Sequence, residues 1–426
     1  MPEIKPFRGL LYNQAAVRLD EVVAPPYDVI SPEQQEALYS RNPHNAVRLV
    51  LGREQDRYAS AASYLEQWMA ESVLVRDQQA AIYVLWQRFR DASGRELTRK
   101  GFIALCRLEE FESQVVLPHE KTHPQAREDR FQLFKATNAN MSQVFALYSD
   151  PEEAIERHLN GLSNTAPSLE LVFDHVDNRL WKLSEKSAIN RIGMLMRSKQ
   201  VLIADGHHRY ETALAYRNWM HSQHPRQTGE ELYNFIMMYF TNVDEDGLII
   251  LPTHRLVHSL SRFEPKTFLA KLEDHFILHE YKDKESLLTA LTASPVVSFG
   301  LTLGGRSTFY LLTLKPTAPT KDLVAEELPL EVKDLDVTVL HSVVLEGILG
   351  ISPEDQENKL YIEYTHDFSE AIDAVGAGKA QLAFLMNPTK IEQVRNVARA
   401  GHTMPHKSTF FYPKLLSGLV LNLMTE

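Results

Sequence analysis

Three short stretches of the chain concentrate side chains able to handle charge. In the first, the apolar run 200–204 meets Asp205-Gly206-His207-His208-Arg209, and a helical pattern continues to about residue 220. A strand that stops at a glycine turn and restarts as a helix leaves free backbone N–H groups at the helix start. Arg209 would add a fork of charged donors beside them, with His207 and His208 adjacent. The chemistry is anion binding. Asp205, at the strand end, is placed to hold a metal or orient a hydroxyl. The plainer alternative is that Asp205 only caps the helix and the histidines are surface groups.

The second stretch, Pro118-His119-Glu120-Lys121-Thr122-His123, spells H-E-x-x-H, the zinc metalloprotease spacing. That chemistry requires His119 and His123 on one face of a continuous helix. Pro124 follows directly and biases His123 away from helical geometry. No zinc is therefore expected. Glu120 reads better as a general base in a loop, with an exposed loop glutamate as the alternative. The third stretch is His406-Lys407-Ser408-Thr409-Phe410-Phe411-Tyr412-Pro413-Lys414. It lacks the upstream glycines of a P-loop. A lysine and two hydroxyls in an irregular loop can still grip phosphate. The alternative is a C-terminal strand that packs its aromatics. Among weaker features, Thr253-His254-Arg255 offers two cations to a phosphate, and Arg127-Glu128-Asp129-Arg130 reads as a solvated helix start. Cys106, on an apolar strand, reads as a core thiol.

These residues need a scaffold of strands and helices. Ser31 caps a helix with Pro32 at its first position. The run 56–70 is amphipathic, and 81–90 with 97–109 forms a hairpin around Ser93-Gly94. Helices are expected at 151–160, 188–196, 259–275, 339–349, 368–377 and 391–399. Strands are expected at 234–241, 248–251, 360–364 and 381–386, with a second hairpin turned by Gly304-Gly305. The alternation predicts an α+β, mixed α/β fold. Three successive regions are expected: 1–110 as an N-terminal α/β region, 111–260 as the catalytic core, and 261–426 completing the site.

Composition narrows the function. The chain has 426 residues, 44% of them hydrophobic, enough for a sizeable core. Its net charge of −11 opposes the basic field of a nucleic-acid binder, so no nucleic-acid partner is expected. No apolar window approaches a membrane span, and the N-terminus lacks an apolar signal core, so no membrane partner and a cytoplasmic location are expected. One cysteine excludes an intrachain disulfide and a cysteine-based zinc site. Oligomeric state is not encoded in any of these features.

The motifs together carry a resemblance. Ile4-Lys5-Pro6-Phe7-Arg8-Gly9, Ala24-Pro25-Pro26-Tyr27-Asp28-Val29-Ile30, Pro118-His119-Glu120-Lys121-Thr122, Asp205–Ala213 and Lys407–Lys414 resemble the bacterial family DUF1015 over essentially the whole chain. More distantly, Asp205-Gly206-His207-His208-Arg209 resembles the signature of the ParB/sulfiredoxin superfamily. Within it, the order of the three stretches is similar to that in free serine kinases. The resemblance implies a nucleotide-binding core of that kind, with a large N-terminal extension and insertions.

By that resemblance, Glu120 would be the catalytic base on a serine hydroxyl. Asp205 would sit at the reacting phosphate or its Mg2+. Gly206, His207, His208 and Arg209 would bind phosphate, and Lys407, Ser408 and Thr409 would complete the site. His119, Thr122, His254 and Arg255 are candidates on the substrate side. The implied activity is transfer of a phosphoryl group from ATP or ADP, with Mg2+, to free serine or a similar small hydroxyl metabolite. The alternative is a nucleotide sensor without catalysis, which needs no base at Glu120. A sulfiredoxin-type enzyme fits less well, because His207 and His208 stand where its cysteine would be. A DNA-partitioning relative would need a helix-turn-helix domain, which the sequence does not display.

Overall fold

The computed structural model describes residues 1–122, 124–224, 226–317, 324 and 327–425. The chain divides into two compact units. One comprises Met1–Pro118, Thr122–Ile249 and Pro413–Glu426; the other comprises His119–Lys121 and Ile250–Tyr412. The two units interleave along the chain: the last residues return to the first unit, and a three-residue piece around Glu120 belongs to the second.

The first unit is built on a nine-stranded mixed sheet. Its strands are β1 (Ile4–Lys5), β2 (Ile82–Arg90), β3 (Glu96–Arg107), β4 (Val116–Leu117), β5 (Val144–Tyr148), β6 (Leu169–Phe173), β7 (Val176–Leu183), β8 (Val201–Asp205) and β9 (Phe235–Asn242). The order is β4-β8-β5-β9-β3-β2-β7-β6, with β1 pairing β3. β8 runs parallel to β4, and β9 parallel to β5; the other pairs are antiparallel. The central strands read as near-continuous apolar runs because both faces are covered. All eight residues of β9 are buried. Cys106 lies in this core, and burial pushes its thiol up to about 12.

Helix α1 (Pro124–Thr137) packs on α2 (His207–Gln223), where Phe131 and Phe134 meet Tyr216 edge-on. The solvated helix start expected at 127–130 differs from what forms there. Arg130 is buried, donates to Val50 O at 2.6 Å and pairs with Asp129; its guanidinium lies 4.0 Å from the centre of the Tyr27 ring.

The second unit carries a six-stranded sheet. Its strands are β10 (His254–Val257), β11 (Phe276–Tyr281), β12 (Ser298–Leu303), β13 (Phe309–Leu314), β14 (Ile362–Thr365) and β15 (Leu382–Leu385), in the order β11-β13-β12-β15-β10-β14. The mixed α+β class expected from the sequence is the one that forms. Some elements are shorter than their patterns suggest. The 259–275 helix is confined to Pro265–Leu272, because Pro265 takes the first helical position and Glu264 caps it. The 151–160 helix reduces to Glu156–Leu159 followed by a 3-10 turn. The 339–349 segment winds as a π-helix over Leu340–Ile348. No helix among the described residues is long and apolar enough to cross a membrane.

One glycine fixes how closely β3 and β9 approach. Gly101 pairs with Thr241, and a Cβ at Gly101 would lie 2.4 Å from Phe240 O and from the Tyr239 ring. A backbone carbonyl cannot turn aside as a rotamer can. Gly101→Ala is expected to destabilise the protein by about 1–3 kcal/mol, seen as a lower urea midpoint. An unchanged midpoint would mean that the two strands separate without cost.

Candidate functional site

In the first unit, a tight turn joins the end of β8 to the helix that follows. A register shift between Ile203 and Asp205 against β5 interrupts the regular alternation just before the carboxylate. Gly206 follows at φ +93°, a left-handed conformation that suits glycine. A Cβ there would stand 2.9 Å from Cζ and Nε of Arg209, so the residue also makes room for the guanidinium. Helix α2 then starts at His207, and its N-cap residue, Gly206, has no side chain with which to cap it. His207 is buried and His208 half-buried.

Asp205 joins two cations. Its Oδ2 accepts from Arg209 Nη2 at 2.6 Å, and its Oδ1 accepts from Lys414 Nζ at 2.6 Å. Burial alone would raise this carboxyl; the Lys414 ammonium and the Arg209 guanidinium, with His207, overcome that and hold it far below the usual carboxylate range. Arg209 also donates from Nη1 to Gln143 O. Its Nε is buried and has no hydrogen-bond partner among the described residues. The arrangement supplies two oriented cations at a helix start, held by one carboxylate.

Asp205 fits poorly as a magnesium ligand in this arrangement. Both of its oxygens already accept from cations, and a hard divalent ion would have to displace a lysine and an arginine. Among the described residues, no group of three or more His, Cys, Asp or Glu side chains is arranged to hold a metal ion.

Lys414 was not among the site residues expected from the sequence. Its backbone is clamped by polar residues buried in the sheet. Arg99 Nη2 donates to Pro413 O at 2.6 Å, and Gln87 Nε2 donates to Lys414 O at 3.3 Å and to Asn178 Oδ1 at 2.9 Å. Gln87, Arg99 and Asn178 are all at most 1% exposed. The available signal was the intrusion of Gln87 and Arg99 on inward positions of β2 and β3, since buried polar side chains need partners.

Thr122 lies in the first unit and donates to Glu211 Oε2 at 2.5 Å; Arg127 binds the same oxygen at 2.9 Å.

The second unit holds the other candidates. His119–Lys121 is not helical, so His119 is not presented from a helix face; the helix begins only at Pro124, and His123 lies outside the described residues. Glu120 forms a parallel bridge with Met404, whose N–H donates to His119 O at 2.8 Å. The His119 ring is fully buried, with Nε2 2.9 Å from Thr409 Oγ1. Glu120 is half-buried and acts electrostatically on Arg255. Ser408 Oγ donates to Pro405 O at 2.5 Å, which commits that hydroxyl to the loop itself. Lys407 adopts φ +59°, a conformation that costs a non-glycine residue about 1–2 kcal/mol. Among the described residues, no ion pair engages its ammonium.

Thr253-His254-Arg255 does not present two exposed cations. Burial, then the Arg255 charge, bring His254 down to about 4, so the ring is neutral. It accepts from Met386 N–H at Nδ1, 3.0 Å away. Arg255 is 2% exposed and donates to Thr253 O, Lys407 O and the His341 ring.

The Asp205 pairing yields a stability prediction. Asp205→Asn leaves two buried cations without their counter-charge and is expected to cost about 3–5 kcal/mol at pH 7. The folded carboxyl titrates below its unfolded value of about 3.9, so its contribution is complete above that pH and declines below it. Urea unfolding of both proteins should show the gap narrowing below about pH 4. A gap independent of pH would contradict the pairing.

Comparisons with known proteins follow from this geometry. No curated protein matches the sequence. Similarity to solved structures is remote. A conserved hypothetical protein from Pyrococcus furiosus is 11% identical, with 71% of this chain and 89% of that chain covered and a TM-score of 0.34. Free serine kinase in complex with AMP is 12% identical, with 70% and 83% covered and a TM-score of 0.34. SbnI with a C-terminal truncation, from Staphylococcus aureus, is 11% identical, with 74% and 85% covered and a TM-score of 0.35. A family model described as "Protein of unknown function (DUF1015)" matches residues 4–338, and the chain belongs to that family.

Proposed function

We propose that this protein is a nucleotide-dependent phosphotransferase of the ParB/sulfiredoxin-like kind, moving a phosphoryl group from ATP or ADP to the hydroxyl of free serine or a similar small metabolite. The observation that carries the reading is the turn at Asp205. One carboxylate holds Arg209 and Lys414 at the start of helix α2, in the motif that resembles that of free serine kinases.

Phosphoryl transfer asks the protein mainly for positioning and charge neutralisation. Arg209, Lys414 and the N–H groups after Gly206 bind and neutralise phosphate oxygens. Glu120 takes the proton from the acceptor hydroxyl as its oxygen bonds to phosphorus and the bond to the departing nucleotide breaks. Lys407 adds a second phosphate cation. Asp205 serves as the anchor of the cation pair rather than as a metal ligand. The variants below test these roles through activity.

A second reading is a nucleotide sensor. It uses the same cations, held by both Asp205 oxygens, and needs no base at Glu120.

The test is incubation with ATP or ADP, magnesium and a panel of amino acids and small alcohols, with phosphorylated product detected by mass spectrometry. Glu120→Gln is expected to lower turnover by about 10²–10⁴-fold with nucleotide affinity nearly unchanged. Arg209→Ala is expected to weaken nucleotide affinity, by roughly 1.5–3 kcal/mol for a charge-assisted contact. Wild-type phosphorylation by Glu120→Gln would overturn the enzyme reading. Nucleotide binding without product from any acceptor would favour the sensor.

A further inference from the structure

The second unit contains a buried contact that the reading above does not use. The segment Leu340–Ile348 is wound as a π-helix, a rare geometry that recurs near functional sites. It carries His341, 7% exposed. The His341 Nε2 lies 3.3 Å from Arg255 Nε and 3.1 Å from Arg255 Nη2. A guanidinium has donors only, so Nε2 is the acceptor and the ring is neutral, protonated on Nδ1. Burial and the Arg255 charge keep it so, holding the ring far below its ordinary pKa.

Arg255 passes the constraint on. Its Nη2 also donates to Lys407 O at 3.0 Å, and its Nη1 donates to Thr253 O. The guanidinium is thus fixed between β10 and the π-helix, and the backbone of Lys407 hangs from it. Lys407 is the residue at φ +59°, a conformation that persists only where the surroundings impose it. The choice of histidine has a physical consequence. A carboxylate at this position would satisfy the same donors but cancel the charge of Arg255. A neutral imidazole orients the guanidinium and leaves its positive field intact.

We propose that His341 is a positioning residue: acting through Arg255, it holds Lys407 in the left-handed turn from which its ammonium meets phosphate. The phosphate role of Lys407 rests on the phosphotransferase reading; the positioning contact does not.

Two readouts separate these. ADP affinity is measured by calorimetry, and amide hydrogen exchange is followed across residues 404–409. His341→Leu is expected to speed exchange there and to weaken ADP binding by about ten-fold, as Lys407→Ala does. The double variant should bind no more weakly than either single one, because both remove the same contact. His341→Gln, whose amide oxygen reaches the Nε2 position, should restore both readouts, whereas His341→Asn is one bond too short and should not. That glutamine–asparagine pair carries the test if His341→Leu does not fold. Additive losses in the double variant, unchanged exchange, or equal behaviour of Gln and Asn would overturn the proposal. Faster exchange in His341→Leu, with ADP affinity untouched by Lys407→Ala, would uphold the positioning contact and remove Lys407 from the phosphate site.

Discussion

Asp205 is a carboxylate sunk at a strand end between an arginine and a lysine that lie 205 residues apart in the chain. Much of the first unit serves that arrangement. The register shift in β8 precedes it, Gly206 clears space for the guanidinium, and the C-terminal segment comes back to deliver Lys414. Arg99 and Gln87 are buried polar residues of the sheet, and their partners include the carbonyls of Pro413 and Lys414. Burying such groups is costly unless they are satisfied, so their presence fixes where the last segment docks.

The second unit uses the same device with the opposite sign at its centre. There a buried guanidinium, Arg255, organises backbone carbonyls and a neutral histidine, and Glu120 supplies a nearby negative charge. The loop around Lys407 gains its shape from these contacts and from the His119–Thr409 hydrogen bond, not from regular secondary structure. A loop of this kind can hold its shape without glycine, because side chains from elsewhere impose its backbone conformation.

The sequence made some of this legible. The glycine turn between an apolar strand and a helix is a local feature, so Asp205–Arg209 could be placed without knowing the tertiary fold. The proline after His123 likewise argued against a helical zinc motif from covalent geometry alone. What escaped was non-local. Lys414 carried no pattern of its own; its role depends on where β2 and β3 present Gln87 and Arg99. His341 sat within an apolar run that reads as an ordinary helix, and only the π-helical winding and Arg255 distinguish it. The run 259–275 was overextended because apolar spacing continued on both sides of Pro265. Interleaving of the two units could not be read from composition, which does not say which distant segments pair.

The proposed function rests on Arg209 and Lys414, held by Asp205, acting as a phosphate-binding pair. The most direct measurement follows the side-chain nitrogen resonances of the Arg209 guanidinium and the Lys414 ammonium while ADP is titrated. Both resonances should shift along one saturation curve with a single affinity. Saturable ADP binding that leaves both resonances unmoved would contradict it.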